Sequence, residues 1–274
     1  MSFEQAAKRI GSLPVNLIRL GLALFFYCIL SLIRSGHPFP VGFSTSSWLW
    51  LIMSGLVGFV LGDYCLFSAY AIIGSRVTNL FMALAPPMAT LLGSLMLKET
   101  FSFQGVAGML VTLSGIVLVV MRKHGSNSGM RFSLKGVLFG LGAAVGQAVG
   151  LVFSKQGMQG GDPFIASQIR VIAGFTGFMI LFAALNKWKT LKPAFQRTST
   201  LAFITSGSFF GPFLGVSFSL MAIKFTTTGI ASTIMALTPV FLIPPAYFLL
   251  KEKISWRDIL GALLAVGGVA LFFL

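Results

Sequence analysis

The chain has 274 residues, of which 56% are hydrophobic and 9% charged, with a mean hydropathy of +0.91. That balance excludes a soluble domain, and at roughly 20 apolar residues per spanning helix it leaves room for about nine or ten spans and little else. The formal net charge of +14 does not indicate a nucleic-acid partner, because Lys and Arg fall mainly between apolar runs, where they act as topology signals.

Reading apolar runs against charged and turn-forming breaks predicts nine spans, A to I. A runs from Val15 to Ile33, B from Trp48 to Ile72, C from Val77 to Leu97, D from Gln104 to Met121 and E from Gly136 to Phe153. F runs from Phe164 to Leu185, G from Leu201 to Ile223, H from Gly229 to Leu250 and I from Trp256 to Leu274. No small-x-small cleavage site follows span A, so that run is expected to stay as a helix. Cys28 and Cys65 lie inside apolar runs and are read as packed thiols. Trp48, Trp50 and Trp256 stand near span ends, as interface anchors do.

Counting Lys and Arg on alternating sides gives 14 on one face and four on the other, Arg34, Lys98, Lys155 and Lys224. The positive-inside rule therefore places the start of the chain in the cytoplasm and its end, after nine crossings, on the opposite face.

The chain also repeats itself. An offset of 153 residues aligns Leu56–Met121 with Phe209–Leu274 without a gap, with 16 identities in 66 pairs. Gly58 and Gly62 fall on Gly211 and Gly215. Met82-Ala83-Leu84-x-Pro86 falls on Met235-Ala236-Leu237-x-Pro239, and Leu97-Lys98-Glu99 on Leu250-Lys251-Glu252. Gly108 and Gly115 fall on Gly261 and Gly268, and upstream Ile18-Arg19 matches Ile169-Arg170 with a two-residue shift. The second unit contains five helices, E to I, and the first only four, A to D. The expectation is an all-α integral membrane fold of nine helices lacking the first of a usual ten, through a clipped start in preference to a genuine nine-helix variant. A five-helix unit is odd in number, so consecutive units enter the membrane with opposite orientation, the inverted repeat found in many secondary transporters. The expected organisation is a first unit over 1–122, a cytoplasmic linker over 123–135 and a second unit over 136–274.

The paired blocks GSRVTNLFMALAPPMATLLGSLMLKET and TTTGIASTIMALTPVFLIPPAYFLLKEK each precede a glycine-containing last helix, and an Arg stands near the start of spans A and F. In these features the chain resembles the EamA-like family of the drug/metabolite transporter superfamily. The resemblance implies a ten-helix fold of two inverted repeats, alternating access, and export or exchange of amino acids or related metabolites by a multi-pass protein of the bacterial cytoplasmic (inner) membrane. Two departures stand out: the absent first helix removes part of the cavity lining, and the charge count puts both ends of a restored ten-helix chain outside, whereas several relatives keep both inside.

Candidate residues follow from polarity in apolar surroundings. Pro86 and Pro239 are expected near the middle of spans C and H, where proline removes a donor and kinks the helix, either at a binding site or simply to bend around a crowded core. Pro244 and Pro245 add a second break in H. Glycines at four-residue spacing in B, E and G, Gly62 and Gly215 among them, serve close packing or sliding between states. Asp63 is the only acid well inside a span, so it must be protonated, paired or hydrated, as a ligand for substrate, a proton exchanger or half of an ion pair. Arg19 and Arg170, related by the repeat, either snorkel and tie helix ends or bind a substrate carboxylate or phosphate. Gln147 between thin glycine faces, Tyr27, Tyr64 and Asn79 complete the substrate-binding candidates.

His37 and His124 have no partner at metal spacing, and no HExxH, GxSxG or P-loop pattern occurs, so no metal, cofactor or enzyme activity is expected. The expected partners are a small solute, the lipid bilayer and, as candidate coupling ion, a proton. The leading expectation is a secondary transporter. The alternatives are a lipid-linked substrate flippase or membrane-embedded enzyme on the same bundle, and a non-transporting assembly factor.

Overall fold

Backbone N–H and C=O groups in hydrocarbon have no water to bond, so long apolar runs close their hydrogen bonds within helices. The computed structural model describes residues 12–120, 133–191, 198–241 and 256–272, and the described secondary structure is entirely helical. Six runs are long and apolar enough to cross a membrane: Leu13–Ser35, Thr45–Gly74, Val77–Leu97, Leu134–Met158, Pro163–Leu185 and Ile204–Phe225. They match spans A, B, C, E, F and G. The shorter apolar helices Phe103–Val119 and Ile259–Ala270 match D and I. Span H is described only as far as Phe241, and Pro244, Pro245, His124, most of the 123–135 linker and the repeat-related Lys251 and Glu252 lie outside the described residues.

We number the helices α1 (Ser12–Ser35), α2 (Thr45–Gly55), α3 (Tyr64–Met82), α4 (Ala85–Leu97), α5 (Phe103–Val120), α6 (Leu134–Met158), α7 (Pro163–Leu185), α8 (Thr198–Ser208), α9 (Val216–Phe225), α10 (Thr228–Met235), α11 (Thr238–Phe241) and α12 (Trp256–Ala270). Two π-helical segments interrupt them. The first, Leu56–Asp63, joins α2 to α3, and the second, Phe209–Gly215, joins α8 to α9. The 153-residue offset superimposes their starts. Pro212 in the second segment has no N–H for an ordinary helical bond to Ser208, which widens the turn there. The first segment has Phe59 at that position and achieves the same register without proline.

The kinks expected at Pro86 and Pro239 take the form of one tightened turn before each proline, with Ala83, Leu84 and Ala236 still in the right-handed helical region. α3 stops at Met82, a turn follows, and α4 restarts at Ala85 with Pro86 in its first turn; α10 stops at Met235 and α11 restarts at Thr238 with Pro239 second. Proline belongs in a helix's first turn because its missing donor has no partner there in any case. α3 is itself broken at Gly74, whose φ of 78° requires glycine.

α6 is the packing centre, touching α2, the first π segment, α3 and α4. Its glycines let backbones meet: a Cβ on Gly146 would stand 2.7 Å from Gly62 Cα, and one on Gly150 would stand 3.0 Å from Gly58 Cα. Ser54 and Ser154 reinforce this seam, both donating to the Gly150 carbonyl at 2.6 Å. α5 and α12, counterparts under the repeat, cross antiparallel through their paired glycines. A Cβ on Gly268 would lie 2.7 Å from the Gly108 carbonyl, and one on Gly115 would lie 2.5 Å from the Gly261 carbonyl. Because the obstruction is backbone, Gly268→Ala is expected to push the helices apart and destabilise the protein by about 1–3 kcal/mol, read as a lowered midpoint in a thermal unfolding scan in detergent. An unchanged midpoint would show that the crossing adjusts freely.

At one end of the bundle the loops after α1, α4, α6 and α9 meet, bringing together the four cations of the charge-poor face. Arg34 pairs with Asp162 at 3.2 Å, Lys155 Nζ donates to Glu99 Oε1 at 2.7 Å and to the Thr226 carbonyl at 2.6 Å, and Lys224 donates to the Gly161 carbonyl at 3.1 Å. A cleft of about 540 Å³ opens between Lys98, Glu99, Lys155, Gln159, Lys224 and Thr227.

Candidate functional site: a buried charge cluster

Arg19 and Arg170 each stand eighth in their helix, α1 and α7, and these two helices pack on each other. That depth overturns the expectation that they snorkel: they are 8% and 5% exposed. Between them runs the first π segment, ending in Asp63, which is 7% exposed. Arg19 donates from Nη2 to Asp63 Oδ2 in a buried ion pair, and its guanidinium lies 5.1 Å from the Phe67 ring.

Arg170 is placed differently. Its guanidinium lies 5.0 Å from the Phe59 ring and within electrostatic reach of Asp63 and Tyr27, yet it forms no hydrogen bond or ion pair among the described residues. Its Nη2 rests against Gly58. A Cβ on Gly58 would stand 3.3 Å from Arg170 Nη2 and 3.7 Å from Gly150 Cα. Two guanidiniums thus face one carboxylate in the bundle interior. A charge at this depth is costly unless compensated, and among the described residues Asp63 is the carboxylate that Arg19 pairs with and Arg170 senses.

Two polar residues that the sequence reading missed complete the cluster. Asn16 and Ser167 are fully buried; among the described residues Asn16 Nδ2 and Oδ1 have no hydrogen-bond partner, and the Ser167 hydroxyl lies beside that of Tyr27. Each precedes its arginine by three residues, one helical turn, and the offset that carries Arg19 onto Arg170 carries Asn16 onto Ser167. The signal was a recurring polar-x-x-Arg, in Asn16-Leu-Ile-Arg19 and Ser167-Gln-Ile-Arg170. Its halves use different polar residues, so identity matching passed over it.

The other candidates fall as follows. Tyr27 is 1% exposed and straps α1 to the second π segment: Oη donates to the Phe213 carbonyl at 2.8 Å and lies 2.7 Å from Ser217 Oγ. Tyr64 is half-buried, edge-on to Phe139. Asn79 Oδ1 accepts from Tyr70 Oη at 3.3 Å within α3, and the Tyr70 ring packs edge-on to Phe67. Gln147 is exposed although Ala143, Gly150 and Ser154, neighbours on the same stripe of α6, are buried, so it marks an indentation one turn from Gly150. Gly62 faces Gly146 on α6, while a Cβ on Gly215 would meet the Phe210 carbonyl at 2.9 Å, five residues back in its own π segment. Pro86 and Pro239 open the restarted helices described above.

The model of the EamA-like transporter family matches residues 2–121 and 134–274, almost the whole chain. The chain belongs to the EamA-like transporter family. It is accordingly a multi-pass integral membrane protein with a solute-transport fold. One solved crystal structure aligns with this EamA-like chain at a TM-score of 0.75 and 16% identity, over 99% of this chain and 91% of that one, a likeness of fold alone. No curated protein matches the sequence.

Proposed function

We propose that this EamA-like protein is a secondary carrier that moves small metabolites, amino acids or related solutes, across the cytoplasmic membrane by alternating access, with export as its direction. The observation that carries this reading is the matched pair of interrupted helices: α3/α4 and α10/α11 break at residues related by the repeat, 82–85 and 235–238. Discontinuous helices at corresponding positions in two halves free backbone groups that only a neighbour or a wet cavity satisfies, and in carriers they surround the substrate. We take the two halves to be inverted, a reading supported by the antiparallel crossing of α5 and α12. The domain organisation follows the repeat, over 1–122 and 136–274.

In this reading the end carrying Arg34–Asp162 and Glu99–Lys155 is the closed gate, and the glycine seam of α6 against the first π segment is the surface that slides. Asp63 serves as an internal counter-ion for Arg19, and Arg170 and Gln147 face the substrate path. Labelled amino acids and other small metabolites loaded into proteoliposomes should leave faster than from protein-free vesicles, with flux that saturates with concentration. Permeation no faster than lipid alone for every solute that binds the purified protein would sink the proposal.

A further inference from the structure

We propose that the Arg170 guanidinium is the docking point for an anionic group of the solute, a carboxylate, phosphate or sulfonate, and that the repeat leaves this place vacant by putting Val216 where Arg19 has Asp63. The inference deepens the carrier reading above and rests on it for the solute being cargo, but not for the anion site itself.

The argument runs through the symmetry. Arg19 and Arg170 are repeat-related, equally deep, and each lies on an aromatic ring at about the same separation, 5.1 and 5.0 Å. Arg19 forms an ion pair with Asp63, whereas Arg170 senses that carboxylate without a direct ion pair among the described residues. The 153-residue offset that superimposes the π segments carries Asp63 onto Val216, the first residue of α9. Val216 packs against two apolar clusters that contain Ile169 and Val171, the neighbours of Arg170 in sequence. The fold therefore offers Arg170 the same kind of acid position that Arg19 uses, and the sequence fills it with an apolar residue.

A guanidinium is always charged at physiological pH and presents a planar fork that matches a two-oxygen anion. Buried without a counter-charge it is unfavourable, so binding an anion there gains more than the same contact in water would. Ser167, one turn earlier on α7 and beside the Tyr27 hydroxyl, adds a buried polar group to the same stripe. Access is consistent with the surroundings: the Arg170 end reaches Gly58 and Gly150, and Gln147, one turn along α6, is exposed within an otherwise buried stripe. Asp63 is already held by Arg19, so a solute's ammonium group gains little there.

The test measures thermal shift and isothermal binding of the full chain in detergent with propionate, inorganic phosphate, methanesulfonate and, as cation control, ethylammonium. Wild type is expected to bind at least one of the three anions and to ignore ethylammonium; which anion binds separates carboxylate from phosphate and sulfonate cargo. Arg170→Gln should weaken that binding roughly tenfold or more, with Arg170→Lys retaining part of it. Val216→Asp should abolish it while leaving the protein as stable as wild type or more so, because it supplies the counter-charge internally. This variant keeps the proposal falsifiable even where Arg170→Gln fails to fold. No shift with any anion at roughly 10 mM, undiminished binding in Val216→Asp, or binding of ethylammonium alone would each overturn the anion site. Anion binding without flux in proteoliposomes would overturn the carrier reading and leave the site standing; flux of cations or neutral solutes alone would do the reverse.

Discussion

Asp63→Asn is expected to destabilise the protein by about 3–5 kcal/mol, the range found when one partner of a buried ion pair is removed. Asp63 and Arg19 are both nearly inaccessible, and the carboxylate is also the anion within electrostatic reach of Arg170. Neutralising it removes the carboxylate that Arg19 pairs with and that lies within electrostatic reach of Arg170. The measurement is the thermal midpoint in detergent, together with the yield of folded protein. Replacing both partners, Asp63→Leu with Arg19→Leu, should recover most of the loss, because an apolar pair of similar size avoids the desolvation that the ion pair must overcome. A variant Asp63→Asn of unchanged stability whose flux has lost only its dependence on a pH gradient would reverse the assignment. It would make Asp63 the proton-exchanging group instead of a counter-ion.

The sequence reading reached different depths for different features, and the reasons are physical. Membrane residence and the extents of spans A to G follow from apolar run length, because the bilayer imposes one length on every helix and charge cannot hide within it. The repeat located the two helix breaks, since Met82 to Pro86 and Met235 to Pro239 share both residues and spacing. Proline in an apolar run reads as a kink, and the structure has one before each proline; how tightly the chain turns there depends on the helices packed around it. The π segments were not legible at all. Leu56-Val-Gly-Phe-Val-Leu-Gly-Asp63 is an ordinary apolar helix by composition, and its wider register coincides with the close approach of α6 at Gly146, a contact from more than 80 residues away. Only Pro212 hinted at the second.

The candidate site was legible as a set of residues and illegible as a set of partnerships. Asp63, Arg19 and Arg170 stand out because ionisable groups inside spans are rare. Which arginine the acid takes cannot be read from spacing, since Asp63 follows Arg19 by 44 positions and precedes Arg170 by more than 100. Arg170 matches Arg19 in position but not in its partner, because the repeat carries Asp63 onto Val216. Tyr27, which the sequence offers as a substrate-binding candidate or a packing aromatic, has its hydroxyl committed to the second π segment.

Glu99→Ala is expected to unfasten the closed end of the bundle. The Glu99 side chain is 7% exposed and holds three elements at once. Oε1 accepts from Lys155 Nζ at the end of α6, and Oε2 accepts from the backbone N–H of Thr228 at 2.9 Å and from its hydroxyl at 2.7 Å, at the start of α10. The carboxylate thus pairs with a cation and caps a helix N-terminus whose exposed donors and dipole favour negative charge. Removing it strands Lys155 with one carbonyl partner and should cost about 3 kcal/mol or more in the closed state. In the alternating-access cycle proposed above, the open state separates α4, α6 and α10 and makes none of these bonds, so the substitution costs it nothing. A substitution that penalises only one of two states shifts the population by the full difference. Two readouts separate a gate from a mere stabilising contact. Amide exchange at Thr228 and Ile230 should accelerate well beyond that of the buried α6 amides, and efflux from proteoliposomes should change in rate while α6 protection stays high. Glu99→Gln keeps a carbonyl acceptor for Thr228 but loses the charge, and should fall between the two. If exchange instead rises uniformly across α4, α6 and α10, Glu99 stabilises the bundle as a whole and the gate must be sought at the other end.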